Sequence, residues 1–124
     1  MSAVTFTIPR VPPSPNEVMR MHWGDRRKLW PMWRQEIAVA LSPEQREEIW
    51  KWRQARILVS IHQRRRKLLD HDNLYGSVKP ILDGIVRCGW VGDDSPEFLC
   101  LQRVTQEIGK PETRITVQRI PEKA

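Results

Sequence analysis

Two stretches of the chain concentrate carboxylates. Asp70-His71-Asp72-Asn73 stands directly behind Arg64-Arg65-Arg66-Lys67, and Asp93-Asp94 follows some twenty residues later, past an apolar-periodic segment. If extended backbone persists through Asp70 and Asp72, their side chains share a face and His71 points the other way. Both carboxyls are ionised at neutral pH and repel one another. A hard divalent cation relieves that repulsion, and Mg²⁺ is typically held by one or two carboxylates together with water and phosphate oxygens. A blander chemistry uses the same residues. Asp72 or Asn73 can serve as the N-cap of a following helix, with Asp70 as a salt-bridge partner of the arginines. Likewise, Gly92-Asp93-Asp94-Ser95-Pro96 has the composition of a solvated turn.

The charge balance points to a polyanionic partner. The chain has 124 residues and a formal net charge of +6. Its sequence pI is about 9.9. Between Ile49 and Leu69 lie Lys51, Arg53, Arg56, Arg64, Arg65, Arg66 and Lys67 without one acidic residue, and Arg20, Arg26, Arg27, Lys28 and Arg34 form a second concentration. Such patches attract phosphates irrespective of sequence. The length is that of one domain with a modest core, taken as residues 1–120 followed by a flexible tail, 121–124. Hydrophobic residues make up 40% and charged residues 29%, the balance of a globular chain. No apolar run approaches the ~18 residues of a membrane span. The first ten residues lack the basic and apolar regions of a signal peptide, so a cytoplasmic protein is expected. Cys88 and Cys100 stand in apolar contexts and read as small core residues in a reducing compartment.

Patterning supplies the elements that must hold these residues. Val4 to Ile8 alternates as a strand and runs into Pro9-Arg10-Val11-Pro12-Pro13-Ser14-Pro15-Asn16, which reads as an irregular loop. Trp33, Ile37, Ala40 and Leu41 fall at helical spacing, with the helix proper expected to begin near Pro31. Ser42-Pro43-Glu44-Gln45 carries the marks of a second helix start: an N-cap, proline in the first turn and a capping box. That helix should reach about Trp52. Arg56 to His62 alternates as the clearest strand. Leu74, Val78, Ile81, Leu82, Ile85 and Val86 form the apolar stripe of one helix, which Gly89 should end. Phe98–Ile108 and Thr113–Ile120 read as strands joined by a hairpin-like Gly109-Lys110-Pro111-Glu112. The expected architecture is a small α+β domain of β-α-α-β-α-β-β order, a mixed sheet packed by helices. A chain returning from the packed helix could carry Asp94 back to the first acidic pair.

The order of these motifs resembles that of RusA-type Holliday junction resolvases. Asp70-His71-Asp72-Asn73-Leu74, Lys79-Pro80-Ile81-Leu82-Asp83 and Gly89-Trp90-Val91-Gly92-Asp93-Asp94 are similar to that family's signature, and Pro12-Pro13-Ser14-Pro15-Asn16 to its proline loop after the first strand. The likeness runs from Ile8 to Asp94 and is most specific in the acidic blocks. It implies a RusA-like fold, with Asp70, Asp72 and Asp94 holding Mg²⁺ (or Mn²⁺ as a substitute) and Asp93 as a further ligand candidate. It also implies a catalytic lysine on the helix after the acidic pair. Here the chain departs from the pattern: Lys79 lies about three residues later than in the family, and Gly76 takes the expected place. Three residues is close to one helical turn of ~3.6. Alternatively, Ser77 caps a helix that starts late, with Pro80 in its first turn. Asp83 and Arg87 read as structural or interface residues.

The activity implied is Mg²⁺-dependent hydrolysis of phosphodiesters in four-way DNA junctions, by paired symmetric nicks from a homodimer, in the cytoplasm of a bacterial or phage-infected cell. Arg64, Arg65, Arg66 and Lys67, together with Asn16, Arg20, Trp23, Arg26 and Arg27, are the expected DNA contacts. Trp23, in Met21-His22-Trp23-Gly24, is the tryptophan expected to touch bases. A structure-selective DNA-binding protein without catalysis, and a metal-dependent hydrolase of another phosphate substrate, remain open alternatives.

Overall fold

The structure is a computed structural model and describes residues 3–52, 54–63, 68–91 and 98–120. Asp93 and Asp94, the run Arg64 to Lys67 and the tail 121–124 therefore lie outside the described residues.

Four strands, β1 (Ala3–Ile8), β2 (Ala55–Gln63), β3 (Leu99–Ile108) and β4 (Glu112–Arg119), form one mixed sheet in the order β1-β4-β2-β3. β4 is antiparallel to β1 and β2, while β2 and β3 are parallel. Each strand turns one set of alternate residues inward. Phe6, Ile115, Val59 and Val104 make one buried row across the sheet, and Val4, Val117 and Ile57 lie in the next. β3 does not alternate simply, since Leu99, Leu101 and Val104 all belong on the core side. A register shift between Ile57 and Leu58 skips Gln102 and returns Val104 to the inner face, as a bulge does. The other face, with Thr5, Ser60, His62, Arg103, Thr105, Arg114 and Thr116, is polar.

Five helices occur in the described residues: α1 (Pro15–Arg20), α2 (Trp23–Ala38), α3 (Pro43–Lys51), α4 (His71–Ser77) and α5 (Lys79–Arg87). Leu29, Trp33 and Ile37 of α2, Ile49 of α3 and Ile81 and Ile85 of α5 join the inner face of the sheet in one buried cluster. α2 packs closely on α5: a Cβ on Gly84 would stand 2.5 Å from Ile37 Cδ1. Trp30 Nε1 donates to Asp83 Oδ2 at 2.7 Å across the same contact, which accounts for Asp83 as a structural residue. None of the described helices is long and apolar enough to cross a membrane.

The domain is thus α+β with a mixed sheet, and several expectations about its elements need correction. The proline loop ends at Ser14. This residue accepts from Glu17 N at 3.2 Å and caps a helix with Pro15 in its first turn, where a missing N–H costs nothing. The next helix begins at Trp23 rather than near Pro31. Pro31 lies inside it on the exposed side, and the buried stripe Leu29, Trp33, Ile37 carries the helix through. The single helix expected from Leu74 to Val86 is two, joined at Val78 (φ −90°, ψ 0°). Pro80 cannot donate to the carbonyl one turn back, so the chain starts a new helix there. Val78, not Ser77, is its N-cap residue, and the Ser77 hydroxyl donates to Leu74 O at 2.6 Å.

The link between β3 and β4 is not a hairpin, because β2 lies between these strands. The capping box at Ser42 and Gln45 is present as expected. Gly89 (φ 77°) ends α5, with Gly89 N donating to Val86 O and Trp90 N to Ile85 O, the pattern of a Schellman stop. Cys100 is exposed and Cys88 partly so. Neighbouring Leu99 and Leu101 take the core side of β3, which turns Cys100 outward.

Candidate acidic site on helix α4

Asp70 is the N-cap of α4, with extended backbone (φ −68°, ψ 169°). Its Oδ1 accepts from Asn73 N at 2.9 Å and from Asn73 Nδ2 at 3.2 Å, and its Oδ2 accepts from Nδ2 at 3.1 Å. These bonds, the backbone N–H of Asn73 first, hold the Asp70 carboxyl below the ordinary carboxylate range. The capping expectation is therefore reversed: Asp70 caps and Asn73 supplies the donors. Extended backbone stops at Asp70, so Asp72 lies in the first helical turn. It does not alternate with Asp70 along a strand. Both carboxylates are nevertheless exposed and negative, at the positive end of a helix.

Three contacts fix this turn. Gln106, at the end of a core-facing row of β3, clamps the preceding residue, donating from Nε2 to Leu69 O at 2.7 Å and accepting from Leu69 N at 3.0 Å. Tyr75 Oη accepts from Val104 N at 3.3 Å, satisfying a donor on the free edge of β3. The His71 ring stacks on Tyr75, with centroids 4.4 Å apart. On the other side α4 meets α1, and a Cβ on Gly76 would stand 2.7 Å from Pro15 Cγ. That contact explains the departure noted in sequence, since the position has no room for a lysine. Lys79 opens α5 instead and is exposed.

α1 therefore brings Asn16 and Arg20, both exposed, to the α4 side of the molecule. Arg26 is mostly a tie: its Nε donates to Val18 O at 3.1 Å and an Nη to Met19 O at 2.9 Å, closing the C-terminal end of α1. Trp23 is the first residue of α2 rather than a loop residue, and it is 61% exposed. The Arg27 guanidinium lies 5.0 Å from its ring centroid. Trp33 and Trp90 are fully buried and Trp52 is 8% exposed, as expected of core tryptophans. Trp50, 55% exposed on α3, carried no signal in the sequence to set it apart. Neither did Gln106, whose role depends on a pairing across the sheet.

Asp93 and Asp94 lie between described residues, Val91 on one side and Phe98 on the other. Phe98 O accepts from Ala55 N, at the start of β2. Because β2 and β3 are parallel, this is the end of the sheet away from Leu69 and Asp70. On the other flank Trp90, just before Val91, packs edge-on against Phe6 of β1, the edge strand opposite β3, at 5.4 Å. Among the described residues, no three His, Cys, Asp or Glu side chains are grouped to hold a metal. The donor set of Asp70 and Asp72 itself suits a hard cation: all their ligand atoms are carboxylate oxygens, exposed and charged. The three bonds from Asn73 leave one lone pair of Asp70, on Oδ2, for a further partner.

No family model of known proteins matches the chain, and no curated protein matches it.

Proposed function

We propose that this chain is a divalent-metal-dependent DNA endonuclease that cuts four-way junctions in the manner of RusA-type resolvases. The observation that carries the proposal is the turn at Asp70–Asn73. Two exposed carboxylates, one held by the N–H and amide of Asn73, are fixed to the edge of the sheet by Gln106 and Tyr75, beside a helix that presents Asn16 and Arg20.

Asp70 and Asp72 would hold Mg²⁺, or Mn²⁺ in its place, with Asp94 as the third ligand and Asp93 in support. The bound ion supplies an activated water and offsets charge on the phosphate. The chain's own residues do the rest. Asn73 orients the Asp70 carboxylate and favours its charged form. Lys79, exposed at the start of α5, is the cation assigned to the developing charge on the phosphate. Arg64, Arg65, Arg66, Lys67, Arg20 and Arg27 attract the DNA backbone. A homodimer would offer one such site to each cleaved strand of a two-fold junction.

The capping role of Asp70 is also what a non-catalytic DNA-binding protein would show, and one substitution separates the two readings. Asparagine is as good an N-cap as aspartate, so Asp70→Asn keeps the acceptor for Asn73 N that starts α4 while removing the charge and one acceptor of Asn73 Nδ2. Cleavage of a synthetic four-way junction in Mg²⁺ should fall by at least ~100-fold, the scale of losing a transition-state contact, while junction binding holds or tightens. Undiminished cleavage by this variant would remove the metal-site reading. Wild-type protein that binds junctions but never cuts them would favour the binding protein.

A further inference from the structure

The first turn of α2 has a composition that the core does not explain. Trp23 exposes 61% of its surface although three other tryptophans are buried. Two side chains make up an array with its ring. The His22 imidazole stacks beside it at 6.2 Å with 25° between the planes, and the Arg27 guanidinium sits 5.0 Å from the ring centroid. Trp23, Gly24, Arg27, Lys28 and Pro31 line a shallow cleft of about 410 Å³, within the ~300–1,000 Å³ range of small-ligand sites.

The array is rigidly mounted. His22 Nδ1 accepts from Gly24 N at 3.2 Å, fixing the imidazole as the N-cap of α2, and Arg26 ties the same corner to the end of α1. An exposed indole with a guanidinium against it, edged by a lysine, meets the needs of one kind of ligand: a flat aromatic ring attached to an anion. Bases stack on aromatic side chains and on arginine planes, while neighbouring cations take the phosphates. A base inside a duplex has both faces covered by its neighbours and cannot use such a platform. An unpaired base can.

We propose that Trp23, with Arg27 and Lys28, is a stacking site for an unpaired nucleotide of DNA, so that the α1–α2 corner reads strand opening while α4 carries the acidic site. This inference rests on the DNA-binding part of the function proposed above and not on cleavage.

The test uses the full chain without metal ion and a single-stranded oligonucleotide carrying 2-aminopurine, with a fully paired duplex carrying the same base beside it. Wild-type protein should quench the fluorophore in the single strand and leave it unchanged in the duplex. Trp23→Ala should abolish the quenching and weaken single-strand binding by about 5- to 100-fold, the range for losing one stacked base, with duplex affinity changed less than about twofold. Trp23→Phe should retain most of the quenching, and both variants should unfold at the wild-type temperature. Quenching that survives in Trp23→Ala, or equal losses on single strand and duplex, would overturn the stacking site while leaving DNA binding intact. A wild-type chain that binds neither DNA would overturn both together.

Discussion

Alanine at position 84 should destabilise the protein, and the same change should stabilise it once Ile37 has been shortened to valine. A Cβ on Gly84 would lie 2.5 Å from Ile37 Cδ1, well inside the ~3.5–4.0 Å at which carbon atoms attract. Ile37 is fully buried, so its methyl cannot withdraw to solvent. Overpacking of this kind costs roughly 1–3 kcal/mol. Against it stands the preference of a helix interior for alanine over glycine, roughly 0.5–1 kcal/mol. Gly84→Ala alone should therefore lose up to about 2.5 kcal/mol. Ile37→Val alone deletes the Cδ1 methyl and should lose roughly 0.5–1.5 kcal/mol.

In the Ile37→Val background the obstruction is gone, and Gly84→Ala should gain the propensity term of roughly 0.5–1 kcal/mol. The coupling between the two sites is then about 1–3 kcal/mol, in the range of residues in contact. Urea unfolding of the four proteins, compared by midpoint at equal m-value, measures it. A Gly84→Ala effect of the same sign in both backgrounds would refute the argument. The consequence reaches beyond stability, because this contact sets helix α2, with Trp23 and Arg27, against helix α5, with Lys79.

Two further outcomes are expected. Gly76→Ala should lower the thermal midpoint, because its Cβ would stand 2.7 Å from Pro15 Cγ; Pro15→Ala in the same chain should recover part of the loss, and a Gly76→Ala protein as stable as wild type would show that α1 can shift away freely. The Asp70 carboxyl is held below its ordinary range by the Asn73 N–H and amide, so its contribution to stability is complete above the unfolded-state value and disappears as pH falls through the lower folded-state value. Asp70→Asn should remove that segment of the acid dependence, seen as a flatter plot of unfolding midpoint against pH below the usual carboxylate range; superimposable profiles would mean the cap bonds carry no linkage.

Much of the fold was written locally. Alternation at Val4–Ile8 and Arg56–His62, the Ser42-Pro43-Glu44-Gln45 start and the Gly89 stop depend on residues within a few positions of one another, and each appears where those residues place it. Ser14-Pro15-Asn16-Glu17 has the same order of cap, proline and N3 Glu or Gln as the Ser42 start, although the neighbouring prolines favour a loop. Pro31 misled in the opposite sense. A proline disfavours a helix interior by local rules, and only the burial of Leu29, Trp33 and Ile37 against α5 and the sheet outweighs it.

The acidic site divides along the same line. The sequence by itself placed the Asp70–Asn73 cluster at a strand-to-helix junction in a basic stretch of chain; that Asp70 is the cap, Asn73 its donor and Asp72 already helical came only with the structure. It could not determine which strands pair, since backbone donors and acceptors are alike in every strand. The insertion of β2 between β3 and β4 is therefore a property of the packed sheet alone. From that pairing follow the edge position of β3, the Gln106 clamp on Leu69 and the bond from Val104 to Tyr75, which together fix the turn at Asp70. The glycine in place of the expected lysine has its explanation in the same order of contacts: only when α1 meets α4 does Pro15 claim the volume that a side chain at position 76 would need.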